Sequence, residues 1–172
     1  MKKHENDKLL HIVYAGLFAA MTALLTATLH IPVGNGYVHC GDAVIYLAAS
    51  ILPLPYAMAS AAIGGMLADI LSGYAVYAIP TFLIKALVAW SFAAVGGKTL
   101  LSRRKLPAMI VSGIVSVIGY WITAVILYGG WAAQFVGTVP GNCVQAAGSA
   151  IVYAVAAMAL QRLHNSQPRL GG

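Results

Sequence analysis

The chain has 172 residues, 60% of them hydrophobic and only 8% charged, with a formal net charge of +6 and a mean hydropathy of +0.83. A soluble domain carries about 25% charged residues, so this composition excludes one and describes an integral membrane protein. At about 20 apolar residues per spanning helix, the length holds at most about six spans joined by short loops, with no separate soluble domain.

The positive charge does not point to nucleic acid, because the basic residues do not line one face. Lys2, Lys3 and Lys8 stand at the start, Lys98, Arg103, Arg104 and Lys105 form a central cluster, and Arg162 and Arg169 close the chain; only Lys85 lies within an apolar run. This is the distribution that the positive-inside rule produces. Residues 1–8 read as a cytoplasmic tail, and Leu9 to Leu29 as a first span that is retained, since no small-residue cleavage pattern follows it. Ala15, Ala19 and Ala23 repeat at a spacing of four, flanked by Gly16, Ala20 and Ala27, and predict a small-residue face for helix docking.

Ile31 to Gly41 is a polar loop entered through Pro32, with three glycines between Gly34 and Gly41 that suit tight backbone turns. Its Tyr37 and His39 supply an aromatic face and a switchable nitrogen. Asp42 is placed to cap the second span, Ala43 to Leu52, which Pro53 and Pro55 end before it is long enough to cross a bilayer alone. The third span, Tyr56 to Ser72, is studded with Ala57, Ser60, Ala61, Gly64 and Gly65 and carries Asp69 near its outer end, before the turn at Ser72-Gly73-Tyr74. The fourth, Val76 to Val95, holds Pro80 and Lys85, and Lys85 is the expected counter-ion of Asp69.

The fifth span, Ala108 to Leu127, places Ser112, Ser116 and Gly119 on one face. Tyr120, Trp121 and Tyr128 lie towards its outer end as an interfacial belt, from which one or two rings are free to turn inward. Gly129 to Val139 reads as a second outer loop with Trp131 and Gln134, and Pro140-Gly141-Asn142 opens the sixth span. Asn142 and Gln145, three residues apart, share its outer face and offer the donors and acceptors that recognition of a heterocycle requires. The membrane domain closes at Leu163, leaving 164–172 as a second cytoplasmic tail. Cys40 and Cys143 are expected as free thiols.

The expected fold is thus an all-α membrane protein, six transmembrane helices in a compact bundle with both termini cytoplasmic. Tyr37, His39, Asp42, Asp69, Tyr74, Lys85, Trp131, Asn142 and Gln145 then gather at the outer side as a substrate-binding set. No nucleophile with its base and no metal-ligand spacing accompanies them, and the one glutamate, Glu5, is in the tail, so neither catalysis nor a metal is expected. No internal repeat of the kind secondary transporters use is evident, and no nucleotide-binding loop. The chain reads as a capture protein that depends on a partner to move its ligand.

Gly36-Tyr37-Val38-His39-Cys40-Gly41-Asp42, Leu67-Ala68-Asp69-Ile70-Leu71-Ser72-Gly73-Tyr74, Pro80-Thr81, Ile84-Lys85-Ala86-Leu87 and Pro140-Gly141-Asn142 with Gln145 carry a resemblance over residues 9–163. Together they resemble the S components of energy-coupling factor (ECF) vitamin transporters, in particular the riboflavin-transporter-like group. The resemblance implies a substrate-binding membrane subunit of a prokaryotic plasma membrane. It also implies that the row Ala15, Ala19, Ala23 docks on a transmembrane coupling subunit, and that two cytoplasmic ATPases supply the energy, with no cofactor held by this chain. Two carboxylates against one ammonium among aromatics and carboxamides favour a vitamin B6 form or the pyrimidine precursor of thiamine. Riboflavin is the alternative ligand, and a self-sufficient small carrier or a non-binding assembly subunit the alternative roles.

Overall fold

The computed structural model describes residues 2–33 and 36–166. Gly34, one of the loop glycines, and the 167–172 part of the tail lie outside them. The described residues form six α-helices: α1 (Lys2–Thr28), α2 (Asp42–Ile51), α3 (Leu54–Leu71), α4 (Ala78–Gly96), α5 (Lys105–Tyr128) and α6 (Trp131–Ser166). All but α2 are long and apolar enough to cross a membrane, which makes this a multi-pass membrane protein. A 3-10 turn, Ala75–Tyr77, leads into α4.

The short helix is the centre of the bundle. With 10 residues, α2 is about 15 Å long, roughly half of the hydrocarbon core. It is packed against α1, α3, α4 and α6, and Asp42, Ala43, Val44, Ile45, Tyr46, Ala48, Ala49 and Ser50 are all buried. Shielding by its neighbours removes the need to reach either lipid interface. Pro53, extended at ψ 144°, and Pro55 in the first turn of α3 enforce the turn that ends it. From α2, Tyr46 stacks on Phe92 of α4 at 4.5 Å, and Tyr153 of α6 meets both rings edge-on.

Four expectations change. The loop after α1 is an antiparallel hairpin, β1 (His30–Val33) with β2 (Gly36–His39), in the register His30 to His39 and Pro32 to Tyr37. The segment read as a second outer loop is helical from Trp131, so Pro140 lies inside α6 instead of opening it. Lys105 does not join the exposed basic cluster of Lys98, Arg103 and Arg104. It turns in under α2, donating to Ser50 Oγ and the Gly97 carbonyl, each at 2.9 Å, with its ammonium 4.6 Å from the Phe92 ring centre. Lastly, α1 begins at Lys2, so residues 2–8 continue the helix.

Within this chain the alanine row of α1 is turned towards the bundle. Ala19 and Ala23 are buried, Ala15 packs against the core, and Gly16 and Ala20 lie on the exposed side. The row lets α1 approach α3 so closely that a Cβ on Gly64 would stand 2.7 Å from the Ala19 carbonyl oxygen. Gly64→Val is therefore expected to lower stability by about 1–3 kcal/mol through overpacking. Gly16→Ala, where nothing lies within 4 Å, leaves it unchanged. Thermal melts of the two variants in the same detergent check this.

Candidate functional site

The site is assembled where the hairpin closes over the ends of α2, α3 and α6. A cleft of about 540 Å³, part of it open to solvent, is lined by the hairpin, by Asp69 and Tyr77, by Tyr120, and by Gly137, Thr138, Gly141, Asn142 and Gln145 of α6. The α6 residues recur at the helical period, so one face of that helix makes a whole wall. Gly141 brings the wall close to the hairpin: a Cβ there would touch Val38 and Val33 at 3.3 and 3.4 Å.

Alternation along β2 puts Tyr37 and His39 on one face. The Tyr37 ring packs between His30 and Tyr74, each at 4.8 Å, and its hydroxyl donates to Asp69 Oδ1 at 2.6 Å. Burial first, then the adjacent Asp69, push the Tyr37 phenol well above its usual range, so it stays a donor. His39 is 7% exposed. Its Nδ1 accepts from the Gly41 backbone N–H at 2.9 Å and lies 3.3 Å from Thr26 Oγ1 on α1. A backbone N–H only donates, so Nδ1 is unprotonated and the proton of neutral His39 is on Nε2. Gly41 has an ordinary helical φ of −61°. It is glycine for space, since a Cβ would collide with Thr26 Oγ1 and the His39 ring.

Behind the cleft lies an ion pair. Lys85 Nζ donates to Asp42 Oδ1 at 2.5 Å, with both side chains 1% exposed. Gln145 Nε2 donates to the other oxygen, Asp42 Oδ2, at 3.2 Å. The Lys85 stem runs over Gly65, where a Cβ would stand 2.7 Å from its Cγ. Two expectations are corrected here. Lys85 pairs with Asp42 and not with Asp69, which takes the Tyr37 hydroxyl. Asp42 is no cap: Gly41 occupies the N-cap position without a side-chain bond, and Asp42 is the first helical residue, aimed at Lys85.

Of the candidate residues, Tyr37, His39, Asp69, Asn142 and Gln145 meet in the cleft. Asp42 and Lys85 stand one layer behind, and Tyr74 backs the Tyr37 ring. Trp131 is not part of it; 61% exposed, it packs edge-on against Trp121 at 5.4 Å. Tyr77, Tyr120 and Thr138 line the cleft without having been singled out as site residues. Tyr120 is the inward-turning ring that the belt left open, its hydroxyl 3.1 Å from Thr81 Oγ1. Tyr77 gave only a weak signal, one more aromatic after Tyr74.

The model of the ECF-type riboflavin transporter S component family matches residues 6–162. The chain belongs to that family. It is therefore a substrate-capturing component of ECF uptake and a transporter component by kind, not an enzyme. Among solved structures it is similar to the S component of a bacterial ECF transporter, with a TM-score of 0.71 at 20% identity, over 94% of this chain and 97% of that one. At that identity the likeness speaks for the fold. No curated protein matches the chain in sequence.

Two outcomes follow from the geometry. Lys85→Met leaves a buried carboxylate without its ion partner and is expected to cost about 3–5 kcal/mol. Adding Asp42→Asn should recover most of that loss, as read from melting curves of the single and double variants. His39 is pushed down to about 3, by burial first and then by the Lys85 charge. Its folded value is below the unfolded one of about 6.5, so its contribution to stability is complete above pH 6.5 and is lost as pH falls towards 3. The melting temperature should fall through that window, and His39→Asn, which keeps an acceptor for Gly41, should flatten the decline.

Proposed function

We propose that this S component captures a small water-soluble vitamin or vitamin precursor with a flat, polar heterocycle, at the outer face of a prokaryotic plasma membrane. The cleft is the observation that carries the reading: tyrosine rings beside a carboxylate and two carboxamides, closed over by a hairpin. Such a mixture of aromatic faces and a few placed polar groups is what a heterocycle site requires. The basic residues towards both termini and at the α4–α5 connection favour the orientation with the hairpin outside. A vitamin B6 form or the thiamine pyrimidine precursor is the first reading, because Asp69 Oδ2 is a buried oxygen without a partner among the described residues. Riboflavin is the second, favoured by the family's description.

Import of the captured ligand into the cytoplasm falls to partners: a transmembrane coupling subunit and two ATPases, with ATP used by them and no cofactor held here. Asn142→Ala and Tyr37→Ala are each expected to weaken vitamin binding by about tenfold or more while the protein stays folded, as measured by calorimetry. Unchanged affinity in both would remove the cleft from consideration. In proteoliposomes the chain alone should not accumulate vitamin when ATP is added, and solitary uptake would favour a self-sufficient carrier.

A further inference from the structure

The polar atoms around the cleft are not neutral about what they bind, because the bonds each side chain already makes decide which atom is left over. Asn142 Nδ2 donates to the Thr138 carbonyl at 2.9 Å. A carbonyl only accepts, so the amide orientation is settled, and Oδ1 and the second Nδ2–H are left. Gln145 Nε2 donates to a carboxylate oxygen of Asp42, which settles its orientation in the same way and leaves Oε1 and the second Nε2–H. Asp69 Oδ1 is taken by the Tyr37 hydroxyl, and Oδ2 is buried with no partner. His39 Nδ1 is taken by the Gly41 N–H, which leaves Nε2–H.

Of these four side chains, Asp69 alone presents an atom, Oδ2, that is both buried and without a partner among the described residues; Asn142 and Gln145 each keep an oxygen and one N–H, and His39 keeps Nε2–H. A buried acceptor without a donor is costly, so a ligand that brings an N–H to Asp69 Oδ2 gains by satisfying it. One that places a carbonyl there sets lone pair against lone pair. An amino-substituted nitrogen heterocycle matches this inventory: its exocyclic amino group supplies two N–H donors and a ring nitrogen accepts one hydrogen bond.

We propose that the cleft selects an amino-substituted nitrogen heterocycle over its oxo-substituted analogue of the same shape, with Asp69 Oδ2 receiving an N–H of the exocyclic amino group. This rests on the reading of the cleft as the vitamin site and narrows it.

The test is titration calorimetry of the full chain in detergent with 4-amino-5-hydroxymethyl-2-methylpyrimidine, its 4-oxo analogue, pyridoxine and riboflavin. The amino compound should bind at least about tenfold more tightly than the oxo compound. Asp69→Asn, which exchanges a carboxylate oxygen for an amide able to present N–H, should shrink that ratio to below about threefold at an unchanged fold. Equal affinities for the pair in the unaltered protein, or a ratio that survives Asp69→Asn, would overturn the inference. The wild-type ratio alone decides it if that variant does not fold. Binding of pyridoxine or riboflavin without amino-over-oxo preference overturns the selectivity and leaves the vitamin site standing. Binding of none of the four overturns both.

Discussion

The buried pair between Asp42 and Lys85 is the constraint on which the rest of the structure depends. Removing two charges from water costs several kcal/mol per ion after relaxation, and only a partner in good geometry offsets it. That requirement fixes α2 against α4 at one height. It also explains two neighbouring details: Gly65 is bare so that the Lys85 stem can pass, and Gln145 reaches across from α6 to the second Asp42 oxygen. A helix too short to span the membrane is held in the middle of the bundle by a bond at its first residue and, at its far end, by Ser50 with Lys105.

The cleft inherits its character from that anchor. Gln145 lines the cleft with one amide N–H already spent on Asp42. Because Lys85 is committed to Asp42, Asp69 is left to the Tyr37 hydroxyl and keeps one oxygen spare. The hairpin is tied down at the same place, with Tyr37 on α3 and His39 beside Thr26 of α1 and the start of α2. Val33 and Val38 lie close against Gly141 of α6 as well, so the hairpin is held by both polar bonds and apolar contact beside the ligand space.

Much of this was legible in the chain. Apolar runs marked the helices, the two prolines after Leu52 marked the short α2, and the motifs from Gly36 to Asp42 and Leu67 to Tyr74 marked the family. Five residues chosen for their chemistry and position do meet in the cleft. What could not be read is azimuth and depth. Asp42 and Asp69 both lie near the outer ends of their helices, and spacing along the chain does not say which one a lysine on α4 faces. The alanine row of α1 was visible as a row, but whether it turns to a partner or to α3 depends on tertiary packing. Pro140 looked like a helix start because proline suits a first turn, yet helix continues on both sides of it, with Asn142 bonded back to the Thr138 carbonyl. Tyr120 passed as an interfacial aromatic because a ring near a helix end serves either purpose, and nothing in the spacing singled out Tyr77.

The most direct measurement is native mass spectrometry of the protein purified gently from cells grown in vitamin-rich medium, with identification of any small molecule released. The account predicts one small aromatic heterocycle per chain in the unaltered protein and its loss in Tyr37→Ala. An empty unaltered protein, or a ligand retained undiminished in that variant, would contradict it.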